Sequence, residues 1–186
     1  YIDDMRVWNT AHSAATIGDP TNGEFNRYLT TTELAATDLV AYWDMNETFT
    51  GTTFYNRKTG SLASSDLFLV GSPTGVAQSA GSALSNSALP LDSTKSQTMT
   101  SPDSSAFELT GSNFTISAWW YVPACGTNTL LAKENTYAIA TDSNCKVNVQ
   151  LDPGNEGDAQ TWTWMNTGYV LPLSTWHYIS VIKVGT

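Results

Sequence analysis

Alternation of apolar and polar residues with a period of two runs through most of this chain, the spacing of a half-buried strand. It is clearest at 114–122, Phe-Thr-Ile-Ser-Ala-Trp-Trp-Tyr-Val. Phe114, Ile116, Ala118, Trp120 and Val122 fall on one face, and Thr115, Ser117, Trp119 and Tyr121 on the other. Large side chains on both faces predict a strand partly covered on its second side, ended by Pro123, which cannot donate to a ladder. Short runs at 129–133, 137–141 and 146–151 follow, separated by polar clusters, and predict an antiparallel meander. The turn cluster Asp152-Pro153-Gly154-Asn155 leads to 161–165, with Trp162 and Trp164 on one face, and then to a strong strand at 176–184. Upstream, 39–45 is apolar and aromatic, 1–8 has weaker strand character, and 67–70 is an apolar island in a Ser, Gly and Ala-rich stretch at 59–89.

Helix is scarce. Residues 13–17 and 32–36 each support about one turn behind a Ser or Thr, too short to stand without packing. The predicted class is all-β, a two-sheet antiparallel sandwich with little helix.

Cys125 and Cys145 are the only cysteines. If strand direction alternates through the meander, they precede its first and third strands at the same end, which makes a disulfide geometrically reasonable. No Cys-x-x-Cys or Cys/His cluster suggests structural zinc.

Composition sharpens this picture. Seventeen acids against eight bases give a net charge of −9 over 186 residues. Ser and Thr make up about a quarter of the chain, above ordinary usage. Seven Trp and eight Tyr separate it from a disordered acidic tail. The bases are scattered, with only Arg57 and Lys58 adjacent, so nucleic acid is not an expected partner. No apolar run approaches the roughly eighteen residues of a membrane span. Low Lys, abundant Ser/Thr and a cysteine pair predict an extracellular or cell-surface protein. Sequons begin at Asn46 and Asn113.

Several segments together resemble laminin-G-like, concanavalin-A-like jelly rolls, the group that includes the pentraxins. Leu39-Val40-Ala41-Tyr42-Trp43-Asp44-Met45-Asn46-Glu47 resembles the first strand of such a domain, and Ala88-Leu89-Pro90-Leu91-Asp92 the approach to a later one. Phe114-Thr115-Ile116-Ser117-Ala118-Trp119 looks like the family's most recognisable strand. The run from Trp176 to Lys183, Trp-His-Tyr-Ile-Ser-Val-Ile-Lys, is similar to the strand before a hairpin. The opening matches out of order: Ile2-Asp3-Asp4-Met5-Arg6-Val7-Trp8-Asn9 resembles the family's final strand, and Ser13-Ala14-Ala15-Thr16-Ile17 its closing helical turn. The resemblance implies that residues 1–37 are the final strand and linker of one repeat. Residues 38–186 are then a second jelly roll, incomplete at its C-terminal side, in a tandem array. Residues 1–8 would then complete a sheet, within this chain as in a circular permutation, or in a neighbouring copy by strand addition.

Candidate chemistry is sparse. The Glu-x-Asp-x-x-Glu spacing of related glycosidases is absent, and Glu24, Glu33, Glu47, Glu108, Glu134 and Glu156 are isolated. His12 falls in the linker and His177 in a strand, with nothing marking a base for a nucleophile. The chain is therefore expected to be non-enzymatic and to need no cofactor. Asp3, Asp4 and Asp44 would come together if the strands carrying them pair, and their hard oxygens suit calcium. Against this, Ser96-Gln97-Thr98-Met99 lacks an acidic ligand that some relatives place after Asp92. Trp119 with Tyr121, and Trp162 with Trp164, are candidate platforms for a neutral glycan.

The first expectation for function is a non-catalytic structural or adhesive protein. Its partners would be other copies or repeats of itself, or an extracellular protein. The alternatives are a lectin-like module for a neutral glycan and an ancillary domain of a glycoside hydrolase.

Overall fold

In a computed structural model the chain is described over residues 1–47, 52–71, 84, 87–109, 113–133, 136–151 and 164–185. The expected class, an all-β antiparallel sandwich with little helix, is the one observed, and its strands lie in three antiparallel sheets. The chain divides into two compact units. The first comprises Tyr1–Ser104, Gly111–Trp120 and Tyr178–Thr186; the second comprises Ser105–Thr110 and Tyr121–His177.

Strands β1 (Ile2–Trp8), β2 (Leu39–Trp43), β6 (Phe114–Tyr121) and β11 (Trp176–Lys183) form a sheet in the order β11-β6-β1-β2. Strand β1 is thus interior, antiparallel to β2 with Met5 opposite Trp43, and antiparallel to β6 with Val7 opposite Ile116. All seven of its residues are buried. Asp4 has φ 53, a left-handed value that Asp tolerates better than most residues, where the β1–β6 register shifts between Asp3 and Arg6. A second sheet joins β3 (Thr53–Phe54), β4 (Leu67–Val70) and β5 (Thr98–Thr100). Of these only β4 is legible as an alternating run, with Leu67 and Leu69 in and Phe68 and Val70 out.

Two short helices, α1 (Ala14–Gly18) and α2 (Thr31–Leu34), fall near the predicted turns. Ser13 caps α1 by accepting the Thr16 N–H. At α2 the Thr30 hydroxyl accepts the Glu33 N–H at 3.3 Å, and Glu33 Oε2 accepts the Thr30 N–H at 2.8 Å, a reciprocal capping box. It holds Leu34 against the buried Trp8, Leu29, Leu39 and Tyr42. Arg27 adds a two-pronged pair, its Nη atoms 2.7 and 2.6 Å from the Glu33 oxygens.

These donors, Arg27 first, hold the Glu33 carboxyl at about 2, below the 4.5 of a free glutamate. A depressed native value means that Glu33 contributes stability above about pH 4.5, and that this is lost as the pH falls towards 2. Glu33→Gln is therefore expected to flatten the acid limb of the stability profile in that window. Urea midpoints across pH would read this; an unchanged acid limb would remove Glu33 as its source.

In the second unit, β7 (Asn128–Lys133), β8 (Tyr137–Thr141), β9 (Lys146–Leu151) and β10 (Trp164–Val170) form a meander in the order β10-β9-β8-β7. Its core holds Tyr137, Ile139, Val147, Val149 and Leu171. The expected bridge between Cys125 and Cys145 is formed.

Candidate functional site: a buried charge cluster on the first strand

Asp4 and Arg6 meet on β1 where the left-handed Asp4 and the register shift interrupt the strand's alternation, and both side chains are 0% exposed. Arg6 Nη2 donates to Asp4 Oδ2 and, at 2.5 Å, to the Arg27 carbonyl. Its Nη1 lies 3.8 Å from Glu24 Oε2. The guanidinium stands over two rings, 5.5 Å from the centroid of Tyr42 and 6.0 Å from that of Tyr178, within cation–π range. The Tyr42 hydroxyl donates to Asp4 Oδ1 at 2.5 Å, and the Tyr178 hydroxyl to Ser117 Oγ at 2.9 Å.

Glu24 sits in a single 3-10 turn, Glu24–Asn26, and is buried. Its Oε1 lies 2.5 Å from His12 Nδ1. The His12 ring lies 4.5 Å from Trp8, tilted by 45°, while its main-chain N–H donates to Thr115 Oγ1 at 2.8 Å and that hydroxyl donates to the Thr10 carbonyl at 2.9 Å. The segment after β1 is thereby tied to β6.

Burial and attraction compete across this cluster. Burial raises the Asp4 carboxyl above its ordinary value, and the opposing effects of Arg6 and Tyr42 do not overcome it. For Arg6, burial acts to lower the pKa, but the groups around it, Tyr178, Asp4, Tyr42 and Glu24, raise it on balance, so the guanidinium stays charged. Burial pushes the Tyr42 and Tyr178 hydroxyls up, and both stay protonated as donors.

The acids singled out for calcium lie around this cluster. The β1–β2 pairing they required is present, and the register that sets Met5 opposite Trp43 brings Asp4 and Asp44 to the same end of the ladder. Each meets a cation already in the chain: Asp4 meets Arg6, and Asp44 Oδ1 lies 3.0 Å from Arg57 Nε. Arg57 Nη2 is also 3.0 Å from Glu47 Oε1. Asp3 is fully buried on β1. Among the described residues, no group of three or more His, Cys, Asp or Glu is placed to hold a metal ion.

The aromatic candidates separate. Trp119 is only 8% exposed, its indole N–H donates to the Phe25 carbonyl at 3.0 Å, and its ring meets Tyr178 edge-on at 5.4 Å, which makes it core. Tyr121 is partly buried, 5.7 Å from the Trp176 ring. Trp164 is 48% exposed on β10, beside the exposed Met165, Tyr169 and Val170. Trp162 and Asp152 lie outside the described residues.

Asn46 and Asn113 are both exposed. The Asn113 side-chain oxygen accepts the Gly185 N–H at 3.1 Å. The Tyr169 hydroxyl lies 3.3 Å from His177 Nδ1.

What the sequence reading missed is the cluster itself. Its signal was a single arginine, Arg6, two residues after Asp4 in a short strand that also holds Ile2, Met5, Val7 and Trp8. Among the described residues no helix is long and apolar enough to cross a membrane. Comparison with family models, curated proteins and solved structures finds no match to this chain.

Proposed function

We propose that the chain is a non-catalytic structural or adhesive module of an extracellular protein, of the laminin-G-like jelly-roll kind, that works alongside other copies or repeats of itself. The observation that carries the jelly-roll part of this reading is the position of β1. A strand resembling the end of such a domain lies antiparallel between β2 and β6, the strands resembling its beginning and its middle. That is the arrangement a permuted closure requires.

The charged cluster supports a non-catalytic role, because His12, Glu24, Asp4 and Arg6 face one another in the interior and hold β1 in place. The disulfide supports an oxidising compartment. Sedimentation of the full chain over a wide concentration range, with and without a covalent tandem copy, tests the reading. Self-association that strengthens in the tandem form is expected. A monomer at every concentration in both forms would count against it.

The exposed Trp164 and Tyr169 favour a second reading, a lectin-like module for a neutral glycan. A flat ring covers the apolar face of a sugar, and the acidic net charge disfavours anionic glycans. A glycan that quenches Trp fluorescence in the wild type and not in Trp164→Ala would establish it; a glycan array without hits would remove it.

A further inference from the structure

The turn after α1 joins β1 to the rest of the chain through an aspartyl–prolyl bond, Asp19–Pro20. Such bonds break more readily in acid than other peptide bonds. The proline nitrogen is part of a tertiary amide, without an N–H. The aspartate carboxylate is tethered so that attack on its own main-chain carbonyl closes a five-membered ring, an intramolecular reaction with a high effective concentration.

In this turn both reacting groups are held. Asp19 Oδ1 accepts the N–H groups of Thr21 at 2.8 Å and Asn22 at 2.7 Å, leaving Oδ2 as the attacking oxygen. The main-chain oxygen of Asp19 accepts the Gly23 N–H at 2.8 Å. That donor polarises the carbonyl and is in place for the oxyanion that attack would form. Only glycine permits the approach, since a Cβ at position 23 would lie 2.4 Å from the Asp19 oxygen. Asp19 and Pro20 are exposed, so solvent reaches the bond.

We propose that Asp19–Pro20 is a self-cleavage site, at which mild acid severs residues 1–19 from the remaining chain while β1 stays in its sheet. Asp19 Oδ2 attacks the Asp19 main-chain carbon. Hydronium protonates the Pro20 nitrogen, and the C–N bond breaks with its electron pair going to that nitrogen. Asp19 is left as a cyclic anhydride, which one water opens to two carboxyl groups, so the net change is hydrolysis of one peptide bond.

The Asn22 and Thr21 N–H groups lower the Asp19 carboxyl below its ordinary value, which keeps the nucleophile ionised where protons for the leaving nitrogen become abundant. Charged groups of the surrounding elements are engaged elsewhere. No residue of α1 is charged, Glu24 faces His12 and Arg6, and Arg27 donates from Nε to the Asn22 carbonyl and from its Nη atoms to Glu33. After cleavage β1 keeps its ladders with β2 and β6, so residues 1–19 become a separate peptide seated in the sheet and open to exchange with another copy.

The control is the same bond in the chain unfolded in urea, where the turn's hydrogen bonds are lost. The intact 186-residue protein is incubated at about pH 4.5 and about pH 7.5, and fragments are weighed by mass spectrometry after denaturation. The expected result is cleavage at Asp19–Pro20 at the lower pH, about tenfold or more faster in the folded protein than in urea. Pro20→Ala should abolish the cut, and Asp19→Asn, which keeps an acceptor for the turn, should slow it by a similar factor. Before denaturation the two fragments should co-elute. Equal rates at Asp19–Pro20 in folded and urea-unfolded protein, no cut at the lower pH, or an Asp19→Asn chain cut as fast as wild type would each overturn the proposal. Separation of the fragments under native conditions would overturn retention of β1.

Discussion

Arg6→Met is expected to lower folding stability by about 3–5 kcal/mol, the range found when one member of a buried ion pair is removed. The guanidinium is fully buried and neutralises Asp4 while facing Glu24. Methionine fills much of the same volume, so the loss would come from two carboxylates left in the interior without their cation, not from a cavity. A loss of this size is a large fraction of an ordinary domain's stability. Urea unfolding followed by Trp fluorescence reports it directly, because Trp8, Trp43, Trp119 and Trp120 are all buried in the same unit.

The same substitution should change how stability depends on pH. Asp4 already has a raised carboxyl in the intact cluster, through burial. Removing the opposing charge of Arg6 raises it further. A carboxyl whose native pKa lies above its unfolded value penalises the native state when ionised. The penalty is full above the native value and absent below about 3.8. Arg6→Met should therefore recover stability as the pH falls, and the double variant Arg6→Met with Asp4→Leu should recover part of it at neutral pH. A single variant within about 1 kcal/mol of wild type, with an unchanged pH profile, would show that the cluster does not hold β1.

Strand positions were legible in the sequence wherever burial imposed the two-residue period. Strands β6, β7, β8 and β9, with β4 and the body of β11, lie where alternation or an apolar run placed them. Strand β10 did not. The run placed at 161–165 stops at Met165, yet the strand continues to Val170. The register against β9 shifts between Asn166 and Val170, and Gly168 takes φ +74 there. Strands β3 and β5, two and three residues long, are too short to show a period.

The candidate site was less legible, because its residues are gathered by pairing across the sheet. Asp4, Arg6 and Glu24 are close in sequence, but Tyr42 and Tyr178 reach the same guanidinium from β2 and β11. Nothing local marks which acids a cation will meet across the sheet, so Asp4 and Asp44 gave no sign in the sequence that Arg6 and Arg57 would face them. Trp119 shows the same limit. Its alternation assigned it a face, and only the arrival of Phe25 and Tyr178 decides that this face is interior.

Reducing the bridge between Cys125 and Cys145 is expected to lower the stability of the second unit by about 3 kcal/mol, the chain-entropy value for a closed loop of this size. The two cysteines are 20 positions apart, with their Cα atoms 4.9 Å apart, and the loop they close contains β7 and β8. Packing alone supports this segment weakly. The six residues of β7 are half-buried or exposed. The turn before Cys145 has its own ties: Asp142 Oδ1 accepts the N–H groups of Asn144 at 2.8 Å and Lys146 at 2.9 Å, and the Cys145 carbonyl accepts the Leu171 N–H at 2.8 Å. Thr141 Oγ1 donates to the Gly126 carbonyl at 2.9 Å, fixing the Cys125 end against β8. Those bonds persist when the sulfurs separate, so native geometry should survive reduction while the unfolded chain gains freedom. Comparing the oxidised and reduced wild type avoids any new side chain in the buried Cys145 site. Hydrogen exchange should speed up first at the β7 and β8 amides, because that loop is the one released. An unfolding midpoint unmoved by reduction, with β7 and β8 still protected, would mean that the turn bonds and the meander's own ladder hold the unit without the bridge.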